Sequence, residues 1–121
     1  MYRIAILTDD ENLGKQIAGW TGRFWKEHGC FPQIKVLDNR EILDQIIRET
    51  APCGVIAVLP GVGGLNEAEH LRSLCPQCRL IWCSDLDFSL HAYRIRADYF
   101  ILGSVTEEKL RRGLAVWRER R

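Results

Sequence analysis

Short apolar runs alternate along this chain with longer segments whose apolar residues recur at helical spacing. Runs with the length and composition of β-strands occupy residues 4–7, 33–37, 55–59, 79–83 and 99–102. The run at 55–59 is apolar throughout, which is typical of a central parallel strand covered on both faces. The pattern therefore predicts five strands, the third of them in the middle of a sheet.

Helical patterns follow each of these strands. The apolar positions predict helices over residues 12–28, 86–95 and 106–117, the last opened in part by Thr106 as a capping residue. Another helix begins after Asp38 or Asn39 and has its apolar face at residues 42, 43, 46 and 47. A further helix runs through residues 68, 71 and 74. The chain thus reads as five strand–helix units.

Five such units predict an α/β fold, a doubly wound parallel sheet with helices on both faces. At 121 residues, 46% of them hydrophobic, residues 1–121 have the length and composition of one domain with its own core. Ligands in such folds bind outside the carboxyl ends of the strands. The segment 8–11, the loop after Leu59, Ser84 and Gly103 all fall on that edge.

The net charge and the lengths of the apolar runs exclude some classes of function. The net charge of +1 argues against a nucleic-acid surface or membrane binding by bulk electrostatics. Residues 106–121 hold six Lys or Arg against three Glu, and a basic end of the last helix explains this better than a nucleic-acid arm. No secretory signal precedes the first strand, and no apolar run approaches the roughly 20 residues of a membrane span. We expect a cytoplasmic protein.

Acidic residues follow the first strand directly, as Asp9, Asp10 and Glu11. Neighbouring carboxylates repel one another unless a cation or a basic side chain lies among them. The sequence has no aspartate between Asp44 and Asp85, so the third strand offers none to complete a pocket. The acids are therefore either a Mg²⁺ site or the remains of one, with Glu11 more suited to the first turn of a helix.

In its motifs the whole chain resembles the receiver domain of bacterial two-component response regulators, especially receivers attached to LytTR-type DNA-binding domains. The matching stretches, in order, are IAILTDDE at 4–11, PGVGGLNEAEHLR at 60–72 and ADYFIL at 97–102. The resemblance implies a flavodoxin-like three-layer αβα domain with strand order 2-1-3-4-5. It also implies a signalling role rather than an enzymatic one.

The family's phosphorylation pocket is only partly matched. The resemblance places Asp9 and Asp10 at its metal-binding positions and Ser84 at its hydroxyl position. The phosphoacceptor position falls on Leu59, or on Val58 with a different gap, and the lysine–proline pair becomes Gly103 and Ser104. The loop after the third strand is about three residues short of the family's pattern.

These replacements predict a degenerate pocket. Phosphoryl transfer needs a nucleophilic carboxylate and cations that offset the charge developing on the phosphoryl oxygens. Leucine cannot be phosphorylated, and glycine contributes no charge. Mg²⁺ is usually held by carboxylates together with substrate oxygens, so Asp9 and Asp10 should bind it weakly at most. We expect no required cofactor and no catalytic residue.

Five cysteines in a chain without an export signal are interpreted as reduced thiols. Cys75 and Cys78 form a C-x-x-C that lies, with Cys53, at the edge opposite the pocket. Zinc binding lacks a second pair of ligands, and a redox dithiol would favour a helix N-terminus, so a structural role is preferred while metal and redox roles stay open. Cys83 is predicted to be a small buried residue.

The histidines and the glycine-rich loop carry no recognised chemistry. His28, His70 and His91 lie on different helices, and residues 61–64 match no phosphate-binding motif. Trp20 and Trp25 are predicted as core or interface residues, and Trp117 as an exposed anchor.

The interpretation that follows is a pseudo-receiver, a phosphorylation-independent regulatory module in transcription regulation. In the family, the fourth helix, fifth strand and fifth helix mediate dimerisation or partner contact. This predicts a homodimer or a signalling partner bound through Leu90, Tyr93, Phe100, Leu110 and Trp117. A LytTR-type DNA-binding domain would lie outside this chain, and the domain itself would bind neither membrane nor nucleic acid. The alternative is a small-molecule sensor or enzyme that reuses the crevice around Asp9, Asp10, Cys83 and Ser84.

Overall fold

In the computed structural model, which describes residues 2–119, five strands alternate with five helices. The strands are β1 (Arg3–Leu7), β2 (Gln33–Leu37), β3 (Gly54–Val58), β4 (Arg79–Ser84) and β5 (Tyr99–Leu102). The helices are α1 (Glu11–Glu27), α2 (Arg40–Thr50), α3 (Gly63–Leu74), α4 (Ser89–Arg94) and α5 (Glu107–Glu119). All strand pairs are parallel and the sheet order is β2-β1-β3-β4-β5, which confirms the predicted fold class.

Side chains alternate across the sheet and form a core on each face. Val55 and Ala57 of β3 point to the side covered by α2, α3 and α4, whereas Ile56 points to the side covered by α1 and α5. Both cores are closed to solvent, and this is why β3 reads as an unbroken apolar run. The two helical layers leave the carboxyl ends of the strands as one continuous edge.

The strand register aligns that edge. Leu7 of β1 pairs with Ala57 of β3, and Ser84 of β4 pairs with Leu102 of β5. Thr8, Leu59, Asp85 and Gly103 follow these strand ends directly, so the four loops emerge side by side.

Close packing of α5 on the sheet depends on a glycine. A Cβ built at Gly113 would lie 2.9 Å from Ile81 Cδ1 and 3.1 Å from Tyr99 Cδ2. The absence of a side chain therefore lets the helix backbone approach β4 and β5. On the outer side, Arg111 donates to Glu27 of α1 at 2.7 Å and to Glu107 at 3.2 Å, which ties the two helices of this layer together.

The fourth helix is shorter than predicted. It covers Ser89–Arg94 rather than residues 86–95 because the preceding segment forms turns. The Leu86 amide donates to Ser84 Oγ at 3.2 Å, and the Ser89 amide donates to Asp87 Oδ1 at 3.1 Å. These side-chain acceptors compete with the helical hydrogen bonds and delay the start of the helix.

The prediction of five reduced cysteines is wrong for one pair. Cys75 ends α3 and is joined to Cys78 by a disulfide, because the turn between the helix and β4 brings the two Cα atoms to 5.6 Å. Cys30, Cys53 and Cys83 are free. Within residues 2–119, no helix is long and apolar enough to cross a membrane.

Candidate functional site

A crevice opens at the carboxyl ends of β1 and β3, where the fold predicts a ligand site. Its volume is about 250 Å³. The residues that line it are Leu7, Thr8, Asp9, Asp38, Arg40, Val58, Leu59, Pro60 and Glu67. Three carboxylates thus face one guanidinium, and the lining has a net negative charge.

The three acids after β1 have different roles because α1 begins among them. Asp10 is the N-cap of this helix, and its Oδ1 accepts a hydrogen bond from the Leu13 amide at 3.1 Å. Glu11 is the first helical residue, as predicted, and its Oε1 lies 3.4 Å from Lys15 Nζ. Asp9 borders the crevice, whereas Asp10 does not.

Leu59 occupies the position immediately after β3. Its amide donates to the Cys83 carbonyl at 2.9 Å, and its side chain is buried in the core. The first turn of α3 lies directly on it, because a Cβ at Gly64 would overlap the Leu59 carbonyl oxygen. Since Val58, Leu59 and Pro60 are all apolar, the end of β3 carries no carboxylate.

Asp85 supplies a further carboxylate at this edge, whose role no local sequence pattern reveals. Its Oδ1 accepts a hydrogen bond from the Gly61 amide at 2.8 Å and lies 3.5 Å from Ser84 Oγ. Gly61 has a φ of 77°, which favours glycine at this turn. In the sequence, the signal for this contact is the Ser84–Asp85 pair at the end of β4 together with the glycine-containing turn after β3. Asp85 therefore holds the β3–α3 loop in place.

The end of β5 also differs from a lysine-bearing pocket. Gly103 has a φ of 80°, and its amide donates to the Ser84 carbonyl at 2.8 Å. The Lys109 ammonium of α5 donates to the carbonyls of Leu102 at 3.2 Å and Ser104 at 3.1 Å. A cation is thus present near this loop, but backbone oxygens hold it.

Two properties limit the chemistry of this edge: the protonation of the Cys83 thiol and the spacing of the possible metal ligands. Burial raises the pKa of the Cys83 thiol to about 12, so it stays protonated and is a poor nucleophile. Cys83 is buried, as predicted. Among residues 2–119, no three His, Cys, Asp or Glu side chains are grouped so as to hold a metal ion. Asp9 and Asp10 do not form a closed cage by themselves.

One histidine has a carboxylate partner that the sequence did not reveal. His70 Nε2 of α3 lies 2.8 Å from Asp44 Oδ2 of α2. The two residues are 26 positions apart, and only the packing of α2 against α3 brings them together. The pair joins two helices and is separate from the residues that line the crevice.

The predicted interface residues fall into two groups. Tyr93 and Leu90 of α4 are 82% and 59% exposed, whereas Phe100 is half-buried and packs edge-on against Trp82 with ring centroids 5.3 Å apart. Leu110 and Trp117 are 0% exposed, so their assignment to an exposed interface is wrong. They lie on the inner face of α5 against the sheet, and Trp117 is a core residue rather than an anchor.

Comparison with solved structures gives the same fold. The chain is similar to a response regulator receiver domain protein from Clostridium thermocellum, with a TM-score of 0.75, 16% identity and coverage of 98% of this chain and 97% of that one. It is similar to the receiver domain of RcsB from Salmonella enterica serovar Typhimurium, solved in the presence of the phosphomimetic BeF₃⁻, with a TM-score of 0.77, 12% identity and coverage of 99% and 90%.

A third structure extends the likeness. The response regulator TrrA from Thermotoga maritima, solved in complex with Mg²⁺ and BeF, has a TM-score of 0.68, 21% identity and coverage of 95% of this chain and 97% of that one. No protein-family model matches the chain, and no curated protein matches it. The chain therefore has the fold of response regulator receiver domains over nearly its whole length.

Proposed function

We propose that this chain is a pseudo-receiver, a signalling module that regulates by protein contact without being phosphorylated. The observation that carries the proposal is Leu59, a buried apolar residue where the resemblance places the phosphoacceptor. The first turn of α3 packs against its backbone, and Asp85, the carboxylate that follows β4, accepts a hydrogen bond from the Gly61 amide. The end of β3 therefore offers no carboxylate to accept a phosphoryl group.

The proposal also concerns Mg²⁺ binding at Asp9 and Asp10. Asp9 is exposed and borders the crevice, but Asp10 is committed to capping α1. A hard cation would keep most of its water ligands there, because no carboxylate directly follows β3 and, among residues 2–119, no three acidic side chains are grouped so as to hold a metal ion. We propose that Mg²⁺ binds weakly and is not needed for function.

The deciding experiment exposes the protein to a phosphoryl donor and to a phosphoryl analogue. Incubation with acetyl phosphate and Mg²⁺ should leave the intact mass unchanged. Titration with beryllofluoride and Mg²⁺, followed by amide NMR signals of residues 8–11 and 84–86, should give no saturable shift. A receiver domain with an aspartate after its third strand serves as the positive control.

Either of two results would overturn the proposal. One is addition of a phosphoryl group to any carboxylate of the wild-type protein, located by peptide mass spectrometry. The other is a saturable beryllofluoride response that the Asp9→Asn variant loses. Asp9 is the matched site for this control, because replacing Asp10 would also remove the N-cap of α1.

A small-molecule site in the same crevice is the second candidate. Its support is the lining of Asp9, Asp38 and Glu67 around about 250 Å³, with Arg40 as the cation. This net negative charge favours a cationic ligand. Titration with putrescine as a diamine probe should shift the NMR signals of these residues if the crevice binds such ligands, and unchanged signals would remove the candidate.

Partners follow from the exposed part of α4. We propose that Leu90 and Tyr93 contact a second copy of this chain or a partner signalling protein, since large exposed apolar side chains mark contact surfaces. A role in transcription regulation in the cytoplasm, with a LytTR-type DNA-binding domain outside this chain, belongs to the same proposal. It rests on the motifs of residues 4–11, 60–72 and 97–102.

A further inference from the structure

The disulfide lies at the edge of the sheet opposite the crevice. Cys75 is the C-cap of α3, with its amide donating to the Leu71 carbonyl at 2.9 Å, and Cys78 directly precedes β4. The bond therefore closes the whole α3–β4 turn, residues 75–78. Nothing in the crevice chemistry uses this element.

A cavity gives access to this disulfide. It measures about 420 Å³ and is open to solvent. The residues that line it are Ile47, Ala51, Pro52, Cys53, Leu74, Cys75, Pro76, Gln77 and Cys78. Both bonded cysteines are largely buried, yet each borders the cavity, so a small thiol reagent can reach the bond without unfolding of the sheet.

The surroundings also suit the reduced form. The Cys78 sulfur lies 3.2 Å from the Pro52 carbonyl oxygen. In the disulfide this sulfur has no hydrogen, whereas a Cys78 thiol could donate to that waiting acceptor. Both cysteines belong to the apolar core beneath α3, where neutral thiols are well tolerated as small apolar groups. The fold therefore accommodates both the disulfide and the two thiols.

Arg72 connects the turn to a second loop. Its guanidinium donates to the carbonyls of Cys75 at 3.2 Å, Pro76 at 3.0 Å and Cys78 at 2.7 Å. It also donates to the carbonyls of Ile95 at 2.8 Å and Arg96 at 3.0 Å, between α4 and β5. One side chain therefore links the disulfide turn to the loop that follows α4.

The loop that receives these bonds has an unfavourable backbone. Arg96 has a φ of 59°, in the left-handed region that residues with a Cβ seldom adopt. Its carbonyl is one of the two that Arg72 holds. A change in the turn at residues 75–78 would alter the position of Arg72. It would thereby alter the hydrogen bond that holds the strained residue Arg96.

We propose that Cys75 and Cys78 form a reversible dithiol–disulfide site for a dithiol reductant, and that Arg72 transmits its state to the α4–β5 loop. In the reaction, a thiolate of the reductant attacks one sulfur and forms a mixed disulfide as the Cys75–Cys78 bond breaks. The second thiol of the reductant then attacks this mixed disulfide. The reductant leaves as its own disulfide, and the second protein sulfur is freed as a thiol. Two electrons and two protons pass to the protein, one proton to each sulfur. Oxidation by a disulfide of the same class reverses the reaction.

The regulatory consequence rests on the proposed function. The α4–β5 loop adjoins the helix that carries Leu90 and Tyr93, so the thiol state would adjust the proposed contact surface. The redox site itself does not depend on that role. It is defined by the bonded pair, the open cavity and the Pro52 acceptor.

The test begins with the folded protein in buffers of dithiothreitol and its oxidised form at graded ratios. Samples are alkylated, and intact mass counts the free thiols. We expect a sigmoidal gain of two thiols, mapped by peptide analysis to Cys75 and Cys78 and fully reversed on reoxidation, while the far-ultraviolet circular dichroism stays native. Reduction only in denaturant, or loss of the native spectrum on reduction, would overturn the proposal.

Hydrogen exchange tests the transmission step. Reduction should speed amide exchange at residues 93–98 as well as at 75–78, and the Cys75→Ser/Cys78→Ser variant should behave like the reduced protein under either condition. Arg72→Lys, which keeps the charge but loses the fork of donors, should uncouple the two segments. Cys30→Ser, at a free cysteine outside this cavity, is the matched control and should titrate like the wild type. Exchange that changes only at 75–78 would refute the coupling.

These readouts involve neither phosphoryl groups nor self-association. A phosphorylated wild-type protein would overturn the pseudo-receiver proposal and leave the thiol titration as it is. An irreducible disulfide would do the reverse.

Discussion

At the scale of single residues, the polar groups on the carboxyl edge of the sheet serve the backbone. Asp10 accepts from the Leu13 amide, Asp85 accepts from the Gly61 amide, and Ser84 accepts from the Leu86 amide. Amides at loop and helix starts need acceptors, and carboxylates and hydroxyls provide them. Each of these side chains therefore has a structural task that persists without phosphoryl chemistry.

Cys83 gives a prediction about alkaline stability. Its pKa is raised from an ordinary 9.0 to about 12 in the fold, so the unfolded chain loses this proton at lower pH than the native protein. The free energy of unfolding should be unaffected by this group below pH 9 and should fall as pH rises from there to about 12. At pH 10 the loss should be about 1 kcal/mol, measured by urea denaturation at pH 7.5 and pH 10.

Two variants identify the source of that decline. Cys83→Ala should lose most of the difference between the two pH values, although the Tyr2 hydroxyl, whose pKa burial also raises, adds a smaller decline at higher pH. Cys53→Ser, at a partly exposed thiol, should retain the difference. An unchanged pH dependence in Cys83→Ala would show that another group is responsible.

At the residue scale, burial could be predicted wherever the local sequence context decides it. Cys83 lies in an apolar strand and is buried, as predicted. Trp117 was judged by the basic residues after it, although its spacing from Leu110 and Leu114 already places all three on one helical face. Asp85 was missed because its partner Gly61 lies 24 positions away, and no local pattern encodes that hydrogen bond.

At the scale of elements, all five strands and all five helices could be predicted because the sheet is buried on both faces. Apolar runs then mark strands directly, and helical periodicity marks the covering layers. The predicted helix boundaries are wrong where side-chain hydrogen bonds decide them, as at the turn formed by Ser84 and Asp87 before α4. The packing of α3 on Leu59 was beyond prediction, since it depends on the approach of Gly64 to a backbone carbonyl.

Two helix-interior glycines give a matched pair of substitutions. Gly19 of α1 has open space where a Cβ would be, so Gly19→Ala should stabilise the protein by up to about 1 kcal/mol through helix propensity. Gly113→Ala gains the same propensity but places a Cβ 2.9 Å from Ile81 Cδ1 and 3.1 Å from Tyr99 Cδ2. Overpacking of this kind costs about 1–3 kcal/mol, so the net effect should be destabilising.

Thermal and urea unfolding of the two variants measure this difference. The sign is the diagnostic quantity, because both changes are chemically identical and both lie within helices. Equal stabilisation by the two substitutions would mean that α5 can move away from the sheet without cost. That result would contradict the close packing of α5 on β4 and β5.

At the scale of the whole molecule, large exposed apolar side chains occur at both ends of the sheet. Leu90 and Tyr93 lie on α4 near the β5 edge, and Phe31, which is 75% exposed, precedes β2 at the other edge. The net charge of +1 provides little long-range repulsion between copies. The proposed function places the contact surface on the α4 side, and exposure alone does not distinguish the two.

Self-association should therefore depend on α4 and not on the opposite edge. Sedimentation velocity over a wide concentration range, with the disulfide intact, should show a monomer–dimer equilibrium for the wild type. Leu90→Asp or Tyr93→Asp should each weaken it by about 2 kcal/mol, roughly 30-fold in the dissociation constant, because a charge would be buried at the contact. Phe31→Asp introduces the same charge at an equally accessible apolar residue and should leave the equilibrium unchanged. A monomer at every concentration would exclude the homodimer and leave a different signalling protein as the partner, whereas equal effects of Phe31→Asp and Tyr93→Asp would remove α4 as the specific surface.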